Sequence, residues 1–65
     1  MELLIEIGSL WEFPEGTHRF CSERPNDVLL FQKERTAADK FVTRDEFVSL
    51  HGRGKVFEIN FFKTR

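Results

Sequence analysis

Short apolar runs of alternating polarity follow one another along the chain and are separated by residues that favour turns, a pattern typical of β-strands. Leu3, Ile5 and Ile7 alternate with polar neighbours, and we therefore expect a strand with one solvent-exposed face there. Gly8 indicates a bulge or a sharp bend, after which the strand resumes at residues 10–13. Further strands are predicted at residues 17–22, 27–33, 40–43 and 55–62.

The same alternation predicts which side chains share a face. Trp11 and Phe13 lie on one side of the first strand of a hairpin, and His18 and Phe20 lie on one side of its second strand. The strand at 27–33 is apolar on both faces, so we expect it in the centre of the sheet. In the last strand the residues of one apolar side are Phe57, Ile59 and Phe61, with Phe62 on the other side.

Residues 35–50 are open to two interpretations. A single long helix would leave Phe47 and Leu50 off its apolar stripe. We prefer a turn, the strand at 40–43 and then a short helical turn that ends near Leu50, because Thr43 and Glu46 have the spacing of a capping box. Five short strands and one helical turn predict a mostly β fold, a small five-stranded, partly open SH3-like barrel that forms a single domain over residues 1–65.

Four motifs follow one another between residues 7 and 50. They are Gly8-Ser9-Leu10-Trp11, Glu15-Gly16-Thr17, Val28-Leu29-Leu30-Phe31 and Phe41-Val42-Thr43-Arg44-Asp45-Glu46-Phe47. Their order resembles that of small SH3-like barrel proteins from uncharacterised bacterial and phage families. The resemblance implies a barrel fold and a binding role, and it supplies no catalytic residues. The strand at 3–7 and the Phe-rich tail depart from the family pattern.

Composition predicts a globular protein in a reducing compartment. Apolar residues make up 40% of the chain and include eight Phe, which is enough for an aromatic core. The single Cys21 excludes an intramolecular disulfide, and the first residues do not form a signal-peptide pattern, so we expect a cytoplasmic location. The longest apolar run, 28–31, is far shorter than the ~20 residues that span a bilayer, which argues against a membrane partner.

Charge is unevenly distributed along the chain. The net charge is −1, which excludes a globally basic nucleic-acid binder. Residues 1–32 have six acidic and two basic side chains, whereas residues 33–65 have five acidic and eight basic ones. This asymmetry is compatible with one basic face for an anionic partner, or with an ordinary solvated surface.

The strongest candidate for function is the glycine-rich basic segment 51–55 and the basic tail that follows it. Two glycines around Arg53 let the backbone approach a polyanion, and consecutive N–H groups can form an anion-binding nest. We expect contacts to phosphate from Arg53, Lys55, Lys63 and Arg65, and base stacking on Phe62. The alternative is a polar turn followed by core Phe residues. The leading hypothesis is a non-catalytic accessory or regulatory protein of a phage or mobile element that contacts nucleic acid.

A second hypothesis is a protein-interaction module, that is, an adaptor, an inhibitor or a homodimer with an exposed aromatic face. The candidate residues for this face are Trp11, Phe61 and Phe62. Trp11 is equally suited to the centre of the core, and we prefer that position for it.

Metal binding and catalysis have little support in the sequence. His18, Cys21 and His51 are one ligand short of a structural zinc site, and residues three apart in a strand point to opposite faces. No oxyanion-hole motif accompanies Cys21, and the adjacent carboxylates of Asp45 and Glu46 are explained by helix capping. We therefore expect no enzyme activity, no cofactor, no metal and no small-molecule substrate.

Overall fold

One antiparallel sheet and one helix make up the computed structural model, which describes residues 4–59. The five strands are β1 (Leu10–Phe13), β2 (Gly16–Arg24), β3 (Val28–Lys33), β4 (Asp39–Thr43) and β5 (Phe57–Ile59). Helix α1 (Arg44–Gly52) connects β4 to β5. The strand order is β4-β3-β2-β1-β5, so the first four strands form a meander and β5 returns to pair with β1.

The core lies on one face of this sheet and is covered by α1. The buried strand side chains alternate with exposed ones, as a period of two requires. Phe47 is the buried residue of α1, and its ring lies 5.0 Å from Trp11 in an edge-to-face arrangement and 5.4 Å from Phe31 in a stacked one. The other buried apolar side chains are Phe13, Phe20, Leu29, Val42 and Val56. We call the opposite, solvent-facing side of the sheet the outer face.

The predicted hairpins and the helix start are confirmed. β1 and β2 pair from Leu10 opposite Arg19 to Phe13 opposite Gly16, and β3 lies between two strands as expected of a strand that is apolar on both faces. The Thr43 hydroxyl accepts a hydrogen bond from the Glu46 backbone N–H at 3.1 Å and so caps α1. The helix continues to Gly52, two residues beyond the predicted end.

The strand predicted at 3–7 is wrong for the residues that the structure describes. Residues 4–6 form no strand, and Ile7 and Gly8 form a turn that is closed by a hydrogen bond from Ser9 N–H to the Glu6 carbonyl. Gly8 has a φ of 93°, a conformation that glycine adopts without steric cost. Leu4 and Ile7 are 78% and 75% exposed. The prediction failed because alternation of polar and apolar residues does not supply the pairing partner that a strand needs. Leu3 lies outside the described residues.

The last strand has Phe57 and Ile59 on one side, as predicted. Phe57 pairs with Glu12 and Ile59 pairs with Leu10, which places both on the outer face. Val56, one residue earlier, enters the core instead. Residues 60–62 of the predicted strand lie outside the described part of the chain.

Candidate nucleic-acid interface

Three loops meet at one end of the sheet. The β1–β2 turn begins after Phe13, the β3–β4 turn follows Lys33, and β5 starts opposite Glu12. Helix α1 starts at the far end of β4 and runs back, so the segment after it reaches the same end as the two turns. We call the loops at 14–15, 34–38 and 53–56, with their flanking residues, the basic end.

Four cations at this end make no ion pair with any residue in 4–59. They are Lys33, Arg35, Arg53 and Lys55. Two carboxylates there are already engaged. Lys40 Nζ lies 2.6 Å from Glu15 Oε2, and Glu34 Oε2 lies 3.2 Å from Arg19 Nε. Asp39 is the remaining carboxylate beside the β3–β4 turn. Cationic charge is therefore in excess at the basic end.

The opposite end of the sheet has the opposite sign. Asp27 lies in the β2–β3 turn, and its carbonyl accepts a hydrogen bond from Arg44 N–H at 2.8 Å, which ties this turn to the start of α1. Asp45 and Glu46 occupy the first turn of the helix, where a negative charge is favourable. Arg44 itself is paired with Glu23 at 3.1 Å. Charge of opposite sign is thus separated between the two ends of the sheet.

A partly open groove of about 380 Å³ lies beside the β3–β4 turn. Its lining residues are Leu10, Gly16, Thr17, Lys33, Glu34 and Arg35. A Cβ at Gly16 would lie 3.2 Å from Lys33 Cε, so the absent side chain at Gly16 is what lets the lysine stem pack closely against the β1–β2 turn. The Glu34 N–H donates to the Thr17 carbonyl at 2.9 Å and fixes the turn against β2.

Of the residues predicted to contact nucleic acid, the structure describes two. Arg53 and Lys55 are exposed in the loop after α1. The other members of the predicted site, Phe62, Lys63 and Arg65, lie outside the described residues, as does Phe61 of the alternative aromatic face. The sequence missed Lys33 and Arg35, which belong to this end only because the β3–β4 hairpin returns the chain there. The turn predicted before the strand at 40–43 was the signal that would have placed them.

Trp11 is a core residue and is excluded from any exposed aromatic face. It is 1% exposed, its indole N–H donates to Ser9 Oγ at 2.9 Å, and its ring packs against Phe47. A buried indole usually needs such a partner for its N–H, and the short Ser9 side chain provides it here. The preferred sequence interpretation, which placed Trp11 in the core, is confirmed.

The histidines and the cysteine are separated from one another. His18 is buried, donates from Nδ1 to the Gly16 carbonyl at 2.9 Å and lies edge-to-face on Phe13 at 4.9 Å. His51 is exposed beside Trp11, and Cys21 is half-buried on β2. Within residues 4–59, no group of three or more His, Cys, Asp or Glu side chains is arranged to hold a metal ion. In the same range, no helix is long and apolar enough to cross a membrane.

Comparison of the chain with protein-family models, with curated proteins and with solved structures finds no match.

Proposed function

We propose that this protein is a non-catalytic module that binds nucleic acid through the basic end of its sheet. The observation that supports this most directly is the excess of cations there, which make no ion pair within residues 4–59. These cations lie in or beside exposed loops and are Lys33, Arg35, Arg53 and Lys55. Phosphate contacts supply most of the affinity in such complexes, and they need exposed Arg and Lys side chains.

The fold that we propose for the module is a partly open SH3-like barrel. β2 supports this proposal because it pairs with β1 over residues 16–19 and with β3 over residues 18–24. The register shifts between Phe20 and Ser22, and a bulge of this kind bends a strand and increases its twist. β5 pairs with the free side of β1, as closure of a small barrel requires. Such closure would place the three loops of the basic end around one rim.

The setting that we propose is cytoplasmic, in an accessory or regulatory protein of a phage or mobile element. The half-buried free thiol of Cys21 is compatible with a reducing compartment. This setting would give the module a nucleic-acid partner without requiring catalysis by the module itself.

Fluorescence anisotropy of labelled oligonucleotides at two salt concentrations tests the proposal. Contacts to three or four phosphates give a slope of log K against log salt of about −2 to −4. We expect the double variants Lys33→Glu/Arg35→Glu and Arg53→Glu/Lys55→Glu to weaken binding and to reduce the slope by about 1 for each phosphate that is no longer neutralised.

The matched control is Arg24→Glu, which reverses an exposed arginine at the opposite end of the sheet. It should leave affinity close to that of the unmodified protein. Equal weakening by Arg24→Glu and by the basic-end variants would refute the assignment to this end, and no binding at low salt would refute the proposal as a whole.

Homodimerisation is the second candidate function, and the open edge of β4 favours it. Hydrogen bonds from Lys33 N–H to the Ala38 carbonyl and from Arg44 N–H to the Asp27 carbonyl set the phase of the β3–β4 ladder. In that phase the backbone groups of Asp39 and Phe41 point away from β3. Phe41 is 60% exposed on the outer face and lies directly opposite Leu30.

A second copy paired antiparallel about Phe41 would bring the two Phe41 rings together. It would place Asp39 opposite Thr43 and Lys40 opposite Val42, so no like charges would oppose each other. Sedimentation velocity over a range of concentrations tests this candidate. Self-association that Phe41→Thr abolishes and Phe57→Thr leaves unchanged would support it, and a monomer at all concentrations would refute it.

A further inference from the structure

Phe57 is an exposed aromatic residue on the outer face, close to the basic end. It is 53% exposed and lies in β5, two residues after Lys55. Its pairing with Glu12 fixes its position, because cross-strand partners in an antiparallel pair share a face. The core position next to it is filled by Val56, so the ring is not needed for packing inside the sheet.

Leu10 and Thr17 of the groove lie on the same outer face as Phe57, whereas Lys33 pairs with the buried His18 and belongs to the core side of β3. Leu10 belongs to both regions, since it lines the groove and pairs with Ile59, the next outer-face residue of β5 after Phe57. Glu12 pairs with Phe57 on one side and with Thr17 of the groove on the other. The distance from Phe57 to the groove wall is therefore two strand spacings, each of about 4.8 Å.

We propose that the nucleic acid bound by this protein is single-stranded, with one base stacked on Phe57 and a nearby phosphate held by Arg35 at the groove. This inference rests on the proposed function and adds the class of nucleic acid to it. An exposed ring beside unpaired cations is the arrangement by which proteins bind single strands, because every base has a face that can stack on an aromatic side chain. In a duplex the base faces are covered by their neighbours, and such a ring has nothing to stack on.

The Glu12 carboxylate determines where the phosphates and where the bases of the ligand lie. Its carboxylate is half-buried between Phe57 and Thr17, and it accepts a hydrogen bond from Thr17 Oγ1 at 2.6 Å. A negative charge at this point repels phosphate, so the backbone of the ligand follows the Arg35 side of the groove. The less polar surface over Leu10 and Phe57 is left to the base.

The test compares binding of a labelled oligothymidylate with binding of a labelled duplex of the same length. Phe57→Thr keeps a side chain suited to an edge strand but removes the ring, and Phe57→Trp restores a larger one. We expect Phe57→Thr to weaken binding of the single strand by about tenfold, which lies within the range that stacking contributes per base. Phe57→Trp should restore this affinity, and duplex binding should not respond to either change.

Phe41→Thr is the matched control, since Phe41 is an equally exposed ring on the outer face of the far edge strand. Thermal melts by circular dichroism confirm that each variant is folded. Unchanged binding of the single strand by Phe57→Thr, an equal loss with Phe41→Thr, or preference of the unmodified protein for the duplex would overturn this inference alone. If the unmodified protein binds no nucleic acid, or if the charge reversals at the basic end leave binding unchanged, the proposed function itself is overturned.

Discussion

Phe47→Ala should remove most of the stability of this fold. The ring is fully buried and joins α1 to the sheet through contacts with Trp11, Phe31 and Phe13, at centroid distances of 5.0, 5.4 and 6.1 Å. Truncation of a buried Phe to Ala costs about 3–5 kcal/mol, because the apolar burial is forfeited and a cavity is left behind. At roughly 0.05–0.15 kcal/mol per residue, a domain of this size has about 3–10 kcal/mol in total.

Urea unfolding followed by Trp11 fluorescence measures this destabilisation, because Trp11 is the single Trp of the chain and packs directly on Phe47. Val48→Ala is the matched control: it truncates the next residue of α1, which is exposed, and should change the free energy of unfolding by less than about 0.5 kcal/mol. A destabilisation of under about 1 kcal/mol in Phe47→Ala would refute the conclusion that this ring is the main contact between the helix and the sheet.

Three further substitutions test the cap, an ion pair and the site. Thr43→Ala should cost about 1 kcal/mol in urea unfolding, since its hydroxyl accepts from Glu46 N–H. The Lys40 ammonium holds the pKa of Glu15 below its ordinary value of 4.5, so the stability that this pair adds is present above that value and lost as pH falls through the folded pKa. Glu15→Gln should therefore lower unfolding free energy at about pH 7, by under about 1 kcal/mol because the pair is half-exposed, and have no effect at about pH 2. Glu12→Gln should tighten oligothymidylate binding in the anisotropy assay, because it removes a charge that repels phosphate, whereas unchanged or weaker binding would contradict the placement of the ligand.

Local signals in the sequence were sufficient for the elements that depend on neighbouring residues. The capping box at Thr43 and the alternation around Trp11 each specify a structure within a few residues, and both predictions were confirmed. The strand at 3–7 failed because a strand also needs a partner. The alternation in β5 correctly grouped Phe57 with Ile59, but Val56 and Phe57 are both apolar, and only the pairing of Phe57 with Glu12 decides which of them is buried.

Only part of the candidate site could be predicted from the sequence, for the same reason. Arg53 and Lys55 are neighbours in the chain, and their glycine-rich context drew attention to them. Lys33 and Arg35 lie about twenty residues earlier and reach the basic end only through the topology of the sheet. Phe57 could not be distinguished from a core residue, since exposure depends on register and an apolar residue type does not reveal it.

The direction of α1 explains why a basic end and a stable fold are compatible. The helix runs from the acidic end to the basic end, so Asp45 and Glu46 lie at its positive N-terminus and Arg53 caps its negative C-terminus. Reversal of Arg53 to Glu would therefore weaken both ligand binding and the helix. Lys33 is the last residue of β3 and Arg35 lies in the β3–β4 turn, and neither caps a helix end. The Lys33→Glu/Arg35→Glu pair consequently gives the cleaner measure of binding, and a loss of affinity there without a loss of stability separates the role of the basic end in recognition from its role in folding.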